Sequence, residues 1–370
     1  MAVQQRSTQL PDGETRSPRV RGLPSSARLA IAFDARTSYD FLISMAMRNS
    51  EVAELAAEDR RWLVEARASL PADVRAGIFV GSDDDEGLAT EVARILVARP
   101  EIATAADLVS AVEDMTPRTL AEALARRVQD EAGAPIEAEV TRALGGDRDA
   151  LATVEAQLAT FLEGRSLLAF RETVRDPVGT AERLHLALRA WIEPFRTVEE
   201  RVRQIIERDV EARRSDLELP PADLIERTTG GVRFLPDASV RRVVLAPSYF
   251  ARPYNWVLAG PGWRLFCYPV SDASLEGQGP GEPPPGTLLL FRALGDPQRL
   301  RILRLLADRD MYLTEIAQQL DLSKPTVKHH LAQLRAAGLV TVTETGTMTY
   351  YTLRRERLDE TGVELRRYLS

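Results

Sequence analysis

The sequence LTEIAQQLDLSKPTVKHHLAQLRAAGLV occupies residues 313–340 and determines the fold of the C-terminal part of the chain. Its first half predicts a short helix that begins at Thr314 and has apolar residues at helical spacing. Its second half predicts another helix, which ends at Gly338, and only Asp321-Leu322-Ser323 separates the two. Two short helices joined by so tight a turn form a helix-turn-helix.

The second predicted helix separates its side chains by face. Its core-facing residues follow spacings of four and three and are Val327, Leu331 and Leu334. Ser323 is the expected N-cap, so the first turn offers free backbone N–H groups beside the cation of Lys324. Such a helix end suits phosphate oxygens and base edges in a major groove. The candidate DNA-binding residues here are Ser323, Lys324, Pro325, Thr326, Lys328, His329, His330 and Gln333.

Each of these assignments has a plainer alternative. Lys324 and Lys328 are ordinary solvated side chains if the helix does not meet DNA, although their position favours contact. For His329 and His330 the alternative is packing or capping, and we expect at least one of them to touch phosphate or base. Neither histidine is expected to bind a metal, because a metal site needs several such ligands.

The flanking sequence completes a larger domain over residues 287–370. Asp296-Pro297 supplies an N-cap followed by proline at the first helical position. VTVTE and TMTYYTL predict a β-hairpin, and LDETGVELRRYLS predicts a terminal helix. A hairpin that follows a helix-turn-helix is the wing of a winged helix. Thr345 and Thr347 at its tip are further candidate DNA contacts.

This C-terminal domain resembles the ArsR-type winged helix-turn-helix transcriptional regulators. The resemblance lies in three collinear stretches, FRALGDPQRLRILRLL, LTEIAQQLDLSKPTVKHHLAQLRAAGLV and TYYTL, and extends over about 84 residues. It implies a homodimer that presents two recognition helices (Lys324–Ala337) to an inverted-repeat operator in double-stranded DNA. It also implies a dimer interface formed by the first and last helices of the domain, about Thr287–Leu294 and Leu358–Ser370. We expect a repressor.

Two features depart from the family pattern. Metal-sensing members carry cysteines near the start of the first helix of the motif, whereas this chain has MYLTEIAQQL there, and its last helix has carboxylates but no histidine. Zinc and soft metals need several imidazole or thiolate ligands, so we expect no metal site. The tip of the wing, Glu344 to Thr347, lacks the basic residue that relatives often have, so we expect it to add less to phosphate binding.

The charge balance separates the C-terminal domain from the rest. The whole chain has a net charge of −7, but residues 286–370 contain 13 Lys and Arg against 10 Asp and Glu, which leaves −10 for the remainder. Both lysines of the chain, Lys324 and Lys328, lie in the predicted recognition helix. A basic C-terminal domain joined to an acidic N-terminal part indicates that the C-terminal domain alone binds a polyanion.

The remainder of the chain predicts a mainly α fold. Residues 1–27 are polar and rich in Pro, Arg and Ser and predict a disordered arm. Residues 28–270 predict a helical domain closed by a small antiparallel β-sheet, to which VRFLP, RRVVLAPS, NWVLAG and WRLFCYPV contribute. Residues 271–286 are dense in Gly and Pro and predict an extended linker.

A heptad pattern extends through one of these helices. The apolar residues step by four and three over Leu184, Leu188, Trp191, Phe195, Val198, Val202 and Ile205, with Pro194 inside. We interpret this as two helices, or one kinked helix, packed on the domain's own core. A coiled coil between two chains is the alternative.

Composition and motifs also bound the function. The chain has one cysteine, three histidines and no apolar run of membrane-spanning length, so we expect a cytoplasmic protein without disulfides, cofactor or membrane contact. We find no catalytic motif and therefore expect no enzyme. The aromatic sheet around Trp256 and Trp263 suggests an effector pocket in the N-terminal domain, for a small molecule or a protein. The alternative function is an N-terminal scaffold or enzyme whose winged helix makes protein contacts.

Overall fold

The computed structural model describes residues 29–53, 55–72, 74–75, 88–132, 137–159, 164–234, 239–275, 283, 285–345 and 348–370. We call the described residues from 29 to 275 the body and those from 285 to 370 the winged-helix segment. The arm expected over residues 1–27 lies outside the described residues. In the helices that the structure describes, no stretch combines the length and apolarity of a bilayer span.

Helices make up most of the body. Those described are α1 (Thr37–Ala46), α2 (Asn49–Val52), α3 (Ala57–Ser69), α4 (Leu88–Ala98), α5 (Ala105–Glu113), α6 (Pro117–Ala132), α7 (Glu137–Leu144), α8 (Arg148–Leu158), α9 (Gly164–Arg175), α10 (Pro177–Ala212) and α11 (Pro221–Thr229). Nine of the ten residues of α1 are buried, so this helix lies at the centre of the body. Its aromatic side chains pack with those of α10, for example Phe41 with Phe195 at 5.4 Å between ring centroids.

The long helix α10 carries the heptad pattern. It continues through Pro194 as one helix of 36 residues, where the sequence predicted a break or a kink. Every apolar residue of the pattern is buried in the core of the body. The pattern therefore packs within the chain and is not available to a coiled coil.

The strands of the body are β1 (Ala30–Phe33), β2 (Val232–Phe234), β3 (Arg242–Ser248), β4 (Trp256–Gly260) and β5 (Trp263–Pro269). Four of them form a sheet of order β1-β3-β5-β4, in which β1, β3 and β5 are parallel and only β4 is antiparallel to its neighbour. The prediction of an antiparallel sheet is therefore wrong. Strand β3 is buried on both faces from Val243 to Ser248, which is typical of parallel sheets.

The winged-helix segment has the predicted architecture. Its elements are α12 (Pro285–Leu294), α13 (Pro297–Asp308), β6 (Met311–Tyr312), α14 (Leu313–Leu320), α15 (Lys324–Ala336), β7 (Val340–Thr345), β8 (Met348–Leu353) and α16 (Arg355–Leu369). Asp296 caps α13 by accepting from the backbone N–H of Arg299 at 2.9 Å. Gly338 follows α15 with a φ of +73°, which suits glycine. Helices α14 and α15 form the helix-turn-helix, and β7 and β8 form the hairpin.

The body adds a strand to this hairpin. The second sheet has the order β2-β7-β8-β6, and β2 pairs in parallel with β7, Val232 opposite Val342. VRFLP was predicted to join the sheet of the body, and this prediction is wrong. The pairing is between segments about a hundred residues apart, so no local sequence period indicates it.

Body and wing also share a hydrophobic core. Val342 and Tyr351 of the hairpin pack in one cluster with side chains of α11, β2, β3 and β5. The buried body residues of this cluster are Leu224, Ile225, Val232, Phe234, Val240, Val243, Leu245, Phe266 and Tyr268. We call the contacts between the body and the winged-helix segment the seam.

A second part of the seam lies at α12. The Asp272 carboxylate accepts a hydrogen bond from the backbone N–H of Gly286 at 2.9 Å and thereby occupies the start of the helix. Ser271 donates to the buried carboxylate of Asp209 through both its N–H and its hydroxyl, each at 2.8 Å. The two ends of the stretch predicted as a linker thus belong to ordered structure, whereas residues 276–282 and 284 lie outside the described residues.

Candidate nucleic-acid interface

The turn between α14 and α15 fixes the start of the candidate recognition helix. Asp321 has a φ of +54°, a left-handed conformation that Asp tolerates better than most residues. The chain then turns at once, and Ser323 caps α15 by accepting from the backbone N–H of Thr326 at 3.3 Å. The hydroxyls of Ser323 and Thr326 lie 2.7 Å apart. The N-cap expected from the sequence is therefore confirmed.

The first turns of α15 present a polar and cationic surface. Ser323, Lys324, Pro325, Thr326, Lys328 and His329 are all exposed, whereas Val327, Leu331 and Leu334 are buried beneath them. Within the described part of the chain, neither lysine has a hydrogen-bond or ion-pair partner. Both ammonium groups are therefore available to an anion from solution.

Two arginines of the segment, in contrast, are paired with carboxylates. Arg309 pairs with Glu315 at 2.9 Å. Arg357 pairs with Glu360 at 3.1 Å and also with Glu364. Lys324 and Lys328 differ from these two arginines, because no carboxylate among the described residues offsets the charge of either lysine.

Two candidate residues lie apart from this surface. The His330 side chain is mostly buried, and its Nδ1 lies 4.0 Å from Asp296 Oδ1. Burial lowers the pKa of this imidazole, so it is neutral at neutral pH. Gln333 is half-buried, and its amide oxygen accepts a hydrogen bond from Arg299. The structure therefore places both against α13 and not with the exposed residues.

The sequence carries a signal for the burial of His330. It stands three residues after Val327 and four before Leu334, both of which are core residues. Residues at these spacings share one face of a helix. The core stripe of α15 therefore includes this histidine.

The wing bears the remaining candidates. Thr345 is the last residue of β7, and Glu344 is paired with Thr349 across the hairpin. Thr347 lies outside the described residues. The strand β2 runs alongside β7 in the same direction and ends at Phe234, opposite Glu344, so the body reaches almost to the tip of the wing.

An apolar surface lies on α12 and α16, which pack against each other. Large hydrophobic side chains are exposed there, although such residues are normally buried. They are Leu288 and Phe291 of α12 and Leu358, Leu365, Tyr368 and Leu369 of α16. We call this set the α12–α16 face.

The winged-helix segment is similar in sequence to known proteins. The family model described as "Bacterial regulatory protein, arsR family" matches residues 296–342. The HTH-type transcriptional regulator KmtR of Mycobacterium tuberculosis is 39% identical over 75 residues, which are 20% of this chain and 58% of that protein. The chain thus spans little more than half the length of this relative.

Two further relatives are matched over most of their own length. An uncharacterized HTH-type transcriptional regulator of Methanocaldococcus jannaschii is 40% identical over 72 residues, which are 19% of this chain and 81% of that protein. The transcriptional repressor SdpR of Bacillus subtilis is 39% identical over 64 residues, which are 17% of this chain and 71% of that protein. The similarity therefore extends over most of the length of these two shorter proteins and over a small part of this chain.

Proposed function

The chain belongs to the arsR family of bacterial regulatory proteins through its winged-helix segment, and we propose that it is a sequence-specific DNA-binding regulator of transcription. In this proposal a homodimer binds an inverted-repeat operator in double-stranded DNA and represses transcription of the gene that the operator controls. Repression is the outcome that the name of the Bacillus subtilis relative states for that protein. The proposal assigns no catalytic residue, cofactor or metal to the chain.

The observation that carries the proposal is the start of α15. Its capped first turn has exposed hydroxyls, and the first two turns carry two lysines that have no partner among the described residues. Lys324 and Lys328 are four residues apart and thus stand one turn apart on the helix. We assign Lys324 and the backbone N–H groups of this turn to phosphates, and Thr326, Lys328 and His329 to base edges.

The α12–α16 face supports the dimer. Two copies that bury these exposed apolar side chains against each other gain the free energy of removing them from water. In a symmetric dimer the two α15 helices then stand in successive major grooves, ~34 Å apart. The seam leaves both the α12–α16 face and the start of α15 exposed, so the body does not occupy either surface.

Binding of the full chain to DNA tests this proposal. The DNA is the region upstream of the chain's own gene, and the control is a duplex of the same composition with the sequence shuffled. At physiological salt we expect the upstream duplex to bind at least ~10³-fold more tightly than the shuffled one. Equal binding of both, with dissociation constants of ~10⁻⁴–10⁻⁶ M, is non-specific and would overturn the proposal.

A further inference from the structure

Three helices of the winged-helix segment are joined by one arginine. α12 carries part of the α12–α16 face, α15 carries the residues assigned to DNA, and α13 lies between them in the chain. Each of these three helices packs against the other two. Arg299 lies in the first turn of α13, is half-buried, and donates hydrogen bonds to both of the other helices.

The guanidinium of Arg299 binds the end of α12. Its Nε donates to the carbonyl oxygen of Ala293 at 2.8 Å, and its Nη2 donates to that of Arg292 at 2.6 Å. Both carbonyl groups belong to the last turn of α12, where a helix has no further backbone donors of its own. A cation is favoured at this end of a helix, because the carbonyl dipoles leave partial negative charge there.

The same guanidinium binds α15. Its Nη1 donates to the side-chain amide oxygen of Gln333. Asp296 accepts from the backbone N–H of Arg299 at 2.9 Å and thereby fixes the turn from which the side chain projects. A guanidinium is planar and holds its N–H groups in a rigid fork. One side chain therefore joins α12 to α15 in a defined relative direction.

The apolar core holds the same three helices together. Leu290 of α12, Ile302 of α13 and Leu331 of α15 are all fully buried in it. Burial of apolar surface is non-directional, whereas a hydrogen bond depends steeply on distance and angle. The contacts of Arg299 therefore add direction to the packing that the core provides.

Gln333 lies at the end of α15 that is remote from the DNA-binding turn. It follows Lys324 by nine residues, which is ~13 Å along a helix. A tilt of ~10° about Gln333 thus moves the first turn of α15 by ~2 Å. Hydrogen bonds to base edges form only within a few tenths of an ångström of ~2.9 Å, so a displacement of this size breaks them.

We propose that Arg299 is a positioning residue that holds α15 at a fixed angle to α12, so that both α15 helices of the dimer fit the two halves of the operator at once. This inference rests on the proposed function. Arg299 itself does not contact DNA in it, because its guanidinium is directed to α12 and Gln333. Simultaneous binding of two linked sites raises the affinity ~10²–10⁴-fold over one site, and the gain is lost where the geometry forbids it.

Binding of the full chain to two duplexes tests the inference. Footprinting of the wild type on the upstream region supplies the intact repeat, and the second duplex has one half of that repeat shuffled. Arg299→Lys keeps the positive charge but lacks the planar fork. We expect it to bind the intact repeat ~10–100-fold less tightly than the wild type and the single half within ~3-fold of it. On the single half, the slope of log K against log salt should equal that of the wild type, because no phosphate contact is removed.

Further variants examine the other end of the contact. Gln333→Ala removes the acceptor on α15 and should behave as Arg299→Lys does. Gln333→Glu keeps an acceptor there, and a carboxylate strengthens a hydrogen bond from a guanidinium, so it should prefer the intact repeat as strongly as the wild type does. Arg301→Lys is the matched control and should also behave as the wild type. Arg301 is an exposed arginine of the same helix, and it donates to Gln298 at 3.0 Å.

The ratio of the two affinities separates positioning from a purely structural role. Loss of folded protein lowers the affinity for both duplexes by the same factor, so equal losses in Arg299→Lys would overturn the inference. A full preference for the intact repeat in Arg299→Lys, or a shallower salt slope, would overturn it as well and leave the regulator proposal standing. A wild type that binds the upstream and shuffled duplexes equally overturns the regulator proposal and this inference with it.

Discussion

The backbone N–H of Val342 donates a hydrogen bond to the carbonyl oxygen of Gly231 across 3.0 Å, and this contact joins the wing to the body. Gly231 has a φ of +119°, which a residue with a side chain rarely adopts. It directly precedes β2, so its conformation sets the direction in which that strand approaches β7. The wing is therefore completed by a segment from another part of the chain.

Replacement of Gly231 by alanine should loosen the seam. A Cβ there would lie 3.2 Å from Thr341 Cγ2, in a backbone conformation that already disfavours a side chain. We expect a loss of about 1–3 kcal/mol in the free energy of unfolding, measured by urea denaturation of the full chain.

The neighbouring Gly230 provides the control. Its φ is +68°, and a Cβ there would meet nothing within 4 Å. Gly230→Ala should therefore lower the free energy of unfolding by only about 1 kcal/mol, the strain of placing an alanine in the left-handed conformation. If both variants lose the same stability, the contact of the added Cβ at residue 231 with Thr341 carries no cost of its own.

The stability of the body should depend on pH through Asp40. This carboxylate is fully buried and accepts hydrogen bonds from the Ser248 hydroxyl at 2.6 Å and from the backbone N–H groups of Tyr249 and Phe250. Burial nevertheless raises its pKa to about 6. The pKa of Asp40 is higher in the folded than in the unfolded chain, so the folded state holds the proton more tightly. The contribution of this group to the stability of the fold therefore falls as the pH rises from about 4 to about 6.

We expect the contribution of Asp40 to the free energy of unfolding to fall by about 3 kcal/mol over this pH range. It appears as the difference between the unfolding free energies of wild type and Asp40→Asn, measured at several pH values from 4 to 7. The variant lacks the titrating group, so the difference should change with pH below about 6 and be constant above it. A difference that stays constant across this range would contradict the assigned pKa.

The dimer prediction concerns the α12–α16 face. Leu365→Glu places a charge among its exposed apolar side chains, and burial of an unpaired charge is costly. We expect this variant to be monomeric in analytical ultracentrifugation where the wild type is dimeric. Val178→Glu is the matched control, because Val178 is an exposed apolar residue of the body. Loss of the dimer in both variants, or in neither, would contradict the assignment of the interface.

The sequence predicts the winged-helix segment well because its signals are local. Caps at Asp296 and Ser323, a glycine at the end of α15 and short-range apolar spacing all act within a few residues. The exposed positions of Lys324, Thr326 and Lys328 follow from the same spacing. For His330, the spacing to Val327 and Leu334 indicated burial, but the chemistry of the side chain suggested a surface role.

The arrangement of the strands could not be derived in the same way. β1 precedes β3 by about two hundred residues, and β2 pairs with a strand of the other domain. Pairings of this kind depend on tertiary packing, and a strand as short as Val232–Phe234 fits several partners. The sequence did offer one sign of a parallel sheet: the apolar residues of β3 follow one another without alternation, as in strands that are buried on both faces.

The central claim is that the exposed first turn of α15 binds DNA phosphates, and the salt dependence of binding tests it most directly. The measurement compares the wild type, Lys324→Ala and the control Arg301→Ala, each as the full chain on the upstream duplex, by fluorescence anisotropy over a range of salt concentrations. We predict that Lys324→Ala weakens binding and makes the slope of log K against log salt shallower by ~0.9 for each protomer, while Arg301→Ala keeps the wild-type slope. An unchanged slope in Lys324→Ala would contradict the claim.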